Sequence, residues 1–153
     1  MRGSSLPSRW RNRGLAVVET AIVLPVLLIL LLGAAEVGRT LYQYNTLAKS
    51  VRDGARYLAS HVTNPAGGID IPSATLTATR NLVVFGNAAG AGDPLLPGFT
   101  VANVTAVAVD SEHLKVTATY TYAPLFSAIP TFGLDTDIGA LGTFTASLTV
   151  PAL

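Results

Sequence analysis

The stretch RNRGLAVVETAIVLPVLLILLLGAAEVGR, Arg11 to Arg39, decides the fold. From Leu15 to Ala35, 17 of 21 residues are Ala, Val, Ile or Leu. An ideal helix of that length measures about 31 Å, close to the hydrocarbon thickness of a bilayer. Two residues do not suit a plain anchor. Glu19 puts a carboxylate inside the apolar run, where a charge is costly and marks a functional position by default. Gly14 stands between the arginines and the run.

Working outward, Arg2, Arg9, Arg11 and Arg13 precede the run with no acidic residue among them. From Leu15 onward there are six basic and nine acidic side chains. Basic residues at one end of a membrane helix hold that end in the cytoplasm. The N-terminus is therefore expected inside, and the chain beyond about Arg39 outside. The net charge of +1 hides this asymmetry, and the mildly acidic remainder gives no reason to expect nucleic-acid binding. The chain contains no cysteine, which excludes disulfides and thiolate metal sites without fixing the compartment.

Three readings of the N-terminus compete. A secretory signal peptide would be cut after Gly33-Ala34-Ala35, releasing a domain that begins at Glu36. An uncleaved anchor would keep Met1. A prepilin would lose a short basic leader on the cytoplasmic side and retain the apolar segment. Glu19 and Gly14 favour the third. Cleavage after Gly14 makes Leu15 the new N-terminus, with Glu19 four positions on and on the same helix face. The new α-amino group, with a reference pKa near 8, is mostly charged at neutral pH and can neutralise Glu19 in the same or a neighbouring subunit. Gly14 offers a protease an extended, side-chain-free approach.

The helical pattern continues past the apolar run. Val37, Leu41, Tyr44, Ala48, Val51, Ala55 and Leu58 recur at alternating spacings of four and three, between Arg39, Gln43, Asn45, Lys49, Arg52, Asp53 and Arg56. These seven are the expected packing stripe of one continuous helix from about Ala16 to Ser60, on the order of 65 Å long. Pro25 is expected to kink or loosen it. Small residues at Ala34/Gly38 and Ser50/Gly54 permit close helix approach.

The segment from Arg11 to Ser60 resembles the TadE-like proteins, pilin-like (pseudopilin) components of bacterial tight-adherence (Tad) pilus systems. The matching elements are the basic residues before Gly14, Glu19 in the run after Leu15, Pro25, the Glu36-Val37-Gly38-Arg39 exit and the RDGARYLA ending from Arg52 to Ala59. VTATYTYAPLF and the later TFTASLTV also look like the end of such domains. Thr20 follows Glu19, where pilin-like proteins often place a bulkier apolar residue. The resemblance implies a dedicated prepilin peptidase cutting between Gly14 and Leu15, and Glu19 as recognition and assembly carboxylate. It implies the cytoplasmic membrane, other pilin-like subunits and the pilus assembly machinery as partners.

In the rest of the chain, His61 to Pro72 reads as a loop. Ser73 is placed to cap a helix over SATLTATRNLVVF, with Ala74, Ala78, Leu82 and Phe85 on one face and Gly86 at its end. A second loop spans Ala88 to Gly98. The period then changes to two. Val101 to Val109 reads as a strand, and Leu114, Val116, Ala118, Tyr120 and Tyr122 alternate with polar residues. So do Phe144, Ala146, Leu148 and Val150. A three-stranded sheet needs a cover, and the helix supplies it. The expected fold is therefore α+β and pilin-like, a long helix packed on a small antiparallel sheet with a second short helix. Its parts are a leader over 1–14, a membrane segment over 15–35, an amphipathic continuation over 36–60 and an extracytoplasmic domain over 61–153.

No enzymatic constellation stands out. His61 and His113 lack neighbours at ligand spacing, and the Asp135-Thr136-Asp137 pair begins no EF-hand. No nucleophile elbow or phosphate loop occurs. Asn103-Val104-Thr105 is a glycosylation triplet within an expected strand. No catalytic residue, cofactor, metal or small-molecule substrate is expected: the chemistry is done to this chain rather than by it. The main alternative is an unprocessed, membrane-anchored binding or assembly module.

Overall fold

The computed structural model describes residues 9–62, 68–124 and 142–152, with side chains from Gly14 onward. The leader up to Ser8, the span 63–67 of the first expected loop and the apolar loop 125–141, with Asp135 and Asp137, lie outside the described residues.

Helix α1 is a single element, Arg9–Ser60, running through Pro25 without ending there. Among the described residues it is the one helix long and apolar enough to cross a membrane, with a mean hydropathy of 2.8 in its most apolar window. The Thr20 hydroxyl donates to the Ala16 carbonyl, 2.9 Å away, as threonines on membrane helices commonly do.

Helix α2, Ser73–Phe85, ends at Gly86, whose φ of 75° is the left-handed conformation that glycine adopts at little cost. Its start differs from the sequence reading. Ser73 is the first helical residue, and Pro72 occupies the cap position without a side-chain cap bond. The buried face differs too. Thr79, Val83 and Val84 are buried, with Leu76 and Phe85 packed beside them, while Ala74 is exposed. Rotation of the helix by about one residue reconciles the two, since α2 must face both α1 and the sheet.

The sheet contains β1 (Val104–Ala108), β2 (His113–Thr121) and β3 (Thr143–Pro151), antiparallel and in that order. Val101–Asn103, expected as part of the first strand, is instead a 3-10 turn. The Asn103 side-chain oxygen there accepts from the Thr100 amide and hydroxyl. Register places the alternating apolar residues in rows. Ala108, Leu114 and Val150 form one row across the three strands, Ala106, Val116 and Leu148 the next, and Val104, Ala118 and Ala146 the third. The opposite face carries the threonines and Lys115.

One core joins these layers. Leu47, Val51, Ala55 and Leu58 of α1 meet Val83 and Val84 of α2 and Leu114, Val116, Ala118 and Tyr120 of β2. The second loop takes part in it. Its Leu95 amide bonds the Val84 carbonyl, the Tyr120 hydroxyl donates to the Pro97 carbonyl, and Leu96 and Phe99 are buried. α1 and α2 touch where Gly54 meets Val83. A Cβ at Gly54 would stand 2.4 Å from Val83 Cγ2. Of the two small pairs, Ser50/Gly54 therefore lies at a helix contact within the chain. Nothing lies within 4 Å of a Cβ at Gly38.

Candidate functional site

The expected processing site lies on the uncovered part of α1. Gly14, Leu15 and Glu19 are all exposed, and nothing lies within 4 Å of a Cβ at Gly14. Leu15 and Glu19 are one helical turn apart within α1, so an amine created at Leu15 would stand on the Glu19 face. Gly14 itself is helical, within α1. Helix formation is cooperative, so one interior glycine, costing about 1 kcal/mol relative to alanine, does not break a segment with good formers on both sides.

The packing stripe divides. Val51, Ala55 and Leu58 are buried and Ala48 is partly covered. Val37, Leu41 and Tyr44 are exposed, the first two at 61% and 57%. The lower helix instead turns Glu36 and Gln43 towards the sheet domain, with exposures of only 7% and 3%. One residue of offset is about 100° on a helix, so these are distinct faces.

What holds the polar face is a contact that the sequence reading missed. Tyr122, just beyond β2, donates its hydroxyl to Glu36 Oε1 at 2.5 Å across 86 residues of chain. The Thr40 hydroxyl bonds the Glu36 carbonyl. Burial, and then the hydrogen bond to Glu36, raise the Tyr122 pKa above the ordinary tyrosine value. The Tyr122 ring lies against Phe144 of β3, which meets the Tyr44 ring edge-on at 6.1 Å between centroids. A carboxylate at the exit of an apolar run is costly without a donor, and that was the available signal. It did not identify Tyr122, which read as the last inward residue of a strand.

The remaining candidates have local roles. His61 stacks on Tyr57 with centroids 4.1 Å apart and bonds Ser60 and the Tyr57 carbonyl at the end of α1. His113 pairs with Asp110, whose carboxylate also accepts the Glu112 and His113 amides in the β1–β2 turn. These bonds, the Glu112 amide first, lower the Asp110 pKa. Among the described residues no cluster of three or more His, Asp or Glu is placed to hold a metal. A cleft of about 590 Å³ lies between α1 and the α2–loop region, lined by Tyr42, Asn45, Lys49, Asp53, Leu82 and Leu95 among others.

Comparison with known proteins adds one finding. Residues 14–56 match the family model of the TadE-like proteins. The match begins at Gly14 and covers the apolar run, Glu19, Pro25, the Glu36 neck and most of the domain-facing helix. It is the family that the sequence resembles. No curated protein and no solved structure matches the chain.

Proposed function

We propose that this chain is a pilin-like structural or assembly subunit of a Tad-type pilus system. The TadE-like match along α1, which starts at Gly14 and includes Glu19, carries that reading. The helix enters the cytoplasmic membrane with its N-terminus inside and the α+β domain outside. A prepilin peptidase opens the helical turn at Gly14, cuts before Leu15 and removes residues 1–14. Glu19 then meets the new amine, in its own subunit or a neighbour's. Apolar helix surface leaves lipid for a bundle of pilin-like subunits, and the Glu19–amine pair lowers the cost of moving each charge there. The role is in pilus biogenesis, adhesion or secretion, at the cytoplasmic membrane and in a surface pilus.

Two variants separate the steps. In cells with an intact Tad system, Gly14→Val should remain full length, whereas Glu19→Ala should lose its support for surface pili. Wild-type levels of pili from an uncut Gly14→Val chain would refute the processing role. Wild-type piliation by Glu19→Ala would refute the assembly role.

A further inference from the structure

We infer that the lipid-contacting surface of α1 extends beyond the apolar run to Tyr44, so that the domain is seated in the outer membrane–water interface rather than held above it. The inference rests on the membrane-spanning reading of α1. It comes from the pattern of exposure. Between Thr20 and Asn45 the well-exposed side chains carry no charge. They include Val37, Leu41 and Tyr42, the last 68% exposed. The charged and polar groups of this stretch are turned to the domain. Glu36 is held by Tyr122, Gln43 is buried, and Arg39 is partly covered. The first exposed charge after Glu19 is Lys49.

Length agrees with this placement. A hydrocarbon layer of about 30 Å takes about 20 helical residues. Counted from Glu19 at the inner headgroups, those residues are Thr20 to Arg39. A headgroup region of roughly 5–7.5 Å takes about the next three to five residues, and Tyr42 and Tyr44 fall there, at the level where tyrosine is favoured. The alternative register, Leu15 to Ala35, sinks Glu19 about 6 Å into hydrocarbon and leaves Val37 and Leu41 facing water. The shifted register requires a covered Glu36, and the Tyr122 hydroxyl lies on it. It also raises the Gly14–Leu15 bond clear of the inner surface. The occupant of the Val37–Leu41–Tyr42 face is therefore lipid, continuous with the lipid around the span.

The native chain lacks cysteine, so single cysteines can carry a nitroxide without background. Leu27→Cys, Val37→Cys, Leu41→Cys and Arg52→Cys are all at exposed positions. The full chain is reconstituted at high dilution in phosphatidylethanolamine–phosphatidylglycerol vesicles. Relaxation by oxygen, which partitions into lipid, is compared with relaxation by a water-soluble nickel chelate. The ratio of oxygen to nickel relaxation at 37 and 41 should group with that at 27 and be lost at 52. If 37 and 41 group with 52 while 27 stays in lipid, the extended seat is wrong and the span stands. If 27 also groups with 52, the span itself is wrong. Exclusion of both agents at 37 and 41, with spin–spin broadening that persists on further lipid dilution, would mean that a second copy covers the face, and would overturn the proposal.

Discussion

Gly54→Ala isolates the contact that orients α2 on α1. The added Cβ would stand 2.4 Å from Val83 Cγ2, about 1 Å inside ordinary van der Waals contact. Val83 is fully buried, and valine in a helix has one strongly preferred rotamer, so the methyl cannot simply turn away. Overpacking of this kind costs about 1–3 kcal/mol. The better helix propensity of alanine returns about 1 kcal/mol, leaving a net loss of roughly 0–2 kcal/mol. Gly38→Ala supplies the control, because it is the same change in the same helix with nothing within 4 Å. It should be neutral or gain up to about 1 kcal/mol. The decisive quantity is the difference between the two variants, expected at about 1–3 kcal/mol. It is read from urea unfolding of the full chain in detergent, followed by near-ultraviolet circular dichroism of the domain's tyrosines. Val83→Ala should be destabilising alone but should offset part of the Gly54→Ala loss in the double variant, a non-additivity that neighbours in contact show. A Gly54→Ala protein as stable as Gly38→Ala would refute the close approach of α1 and α2.

Other perturbations follow from the same structure. Tyr122→Phe removes a donor from buried Glu36 and should cost about 1–3 kcal/mol in the same unfolding assay; an unchanged midpoint would deny the contact its role. The folded-state pKa of Tyr122 is raised, so its contribution is complete below the unfolded tyrosine value near 10 and is lost as pH rises through the folded value. The stability profile should therefore fall on the alkaline side, and Tyr122→Phe should flatten that limb. Asp110 has the opposite sign. Its lowered pKa gives stability that is present above the ordinary carboxylate range and lost as pH falls through the folded value, an acid limb that Asp110→Asn should weaken. Gly86→Ala forces a side chain into the left-handed region at about 1–2 kcal/mol and also crowds Leu95, so a lower melting temperature is expected.

The elements with sustained periodicity were legible in the sequence. The apolar run and its amphipathic continuation appear as α1. The alternation at Leu114–Tyr122 and Phe144–Val150 appears as β2 and β3 with the expected inward residues, because period-two patterning has a single solution when one face is covered. The side on which α1 meets the domain was not legible. Two stripes fit helical spacing, and hydrophobicity selects Val37, Leu41 and Tyr44. The structure turns the polar residues one position earlier, Glu36 and Gln43, towards the domain. That choice depends on Tyr122, which is brought to Glu36 only by the tertiary fold. Near Val51, Ala55 and Leu58 the domain surrounds a wider arc of the helix, and the stripe read from sequence is buried there. The placement of Gly14, Leu15 and Glu19 along one exposed stretch of α1 was legible. The helical state of Gly14 was not, since a lone glycine is compatible with either conformation until the cooperativity of its neighbours is counted.

The most direct test of the account is the N-terminal sequence and intact mass of the chain isolated from membranes, with and without a prepilin peptidase. A pilin-like subunit should show a peptidase-dependent start at Leu15, with the mass of residues 1–14 lost. A start at Glu36 would mean a released exported domain, and an intact Met1 in cells with demonstrably active peptidase would mean an unprocessed anchor. Either result would contradict the pilin-like reading.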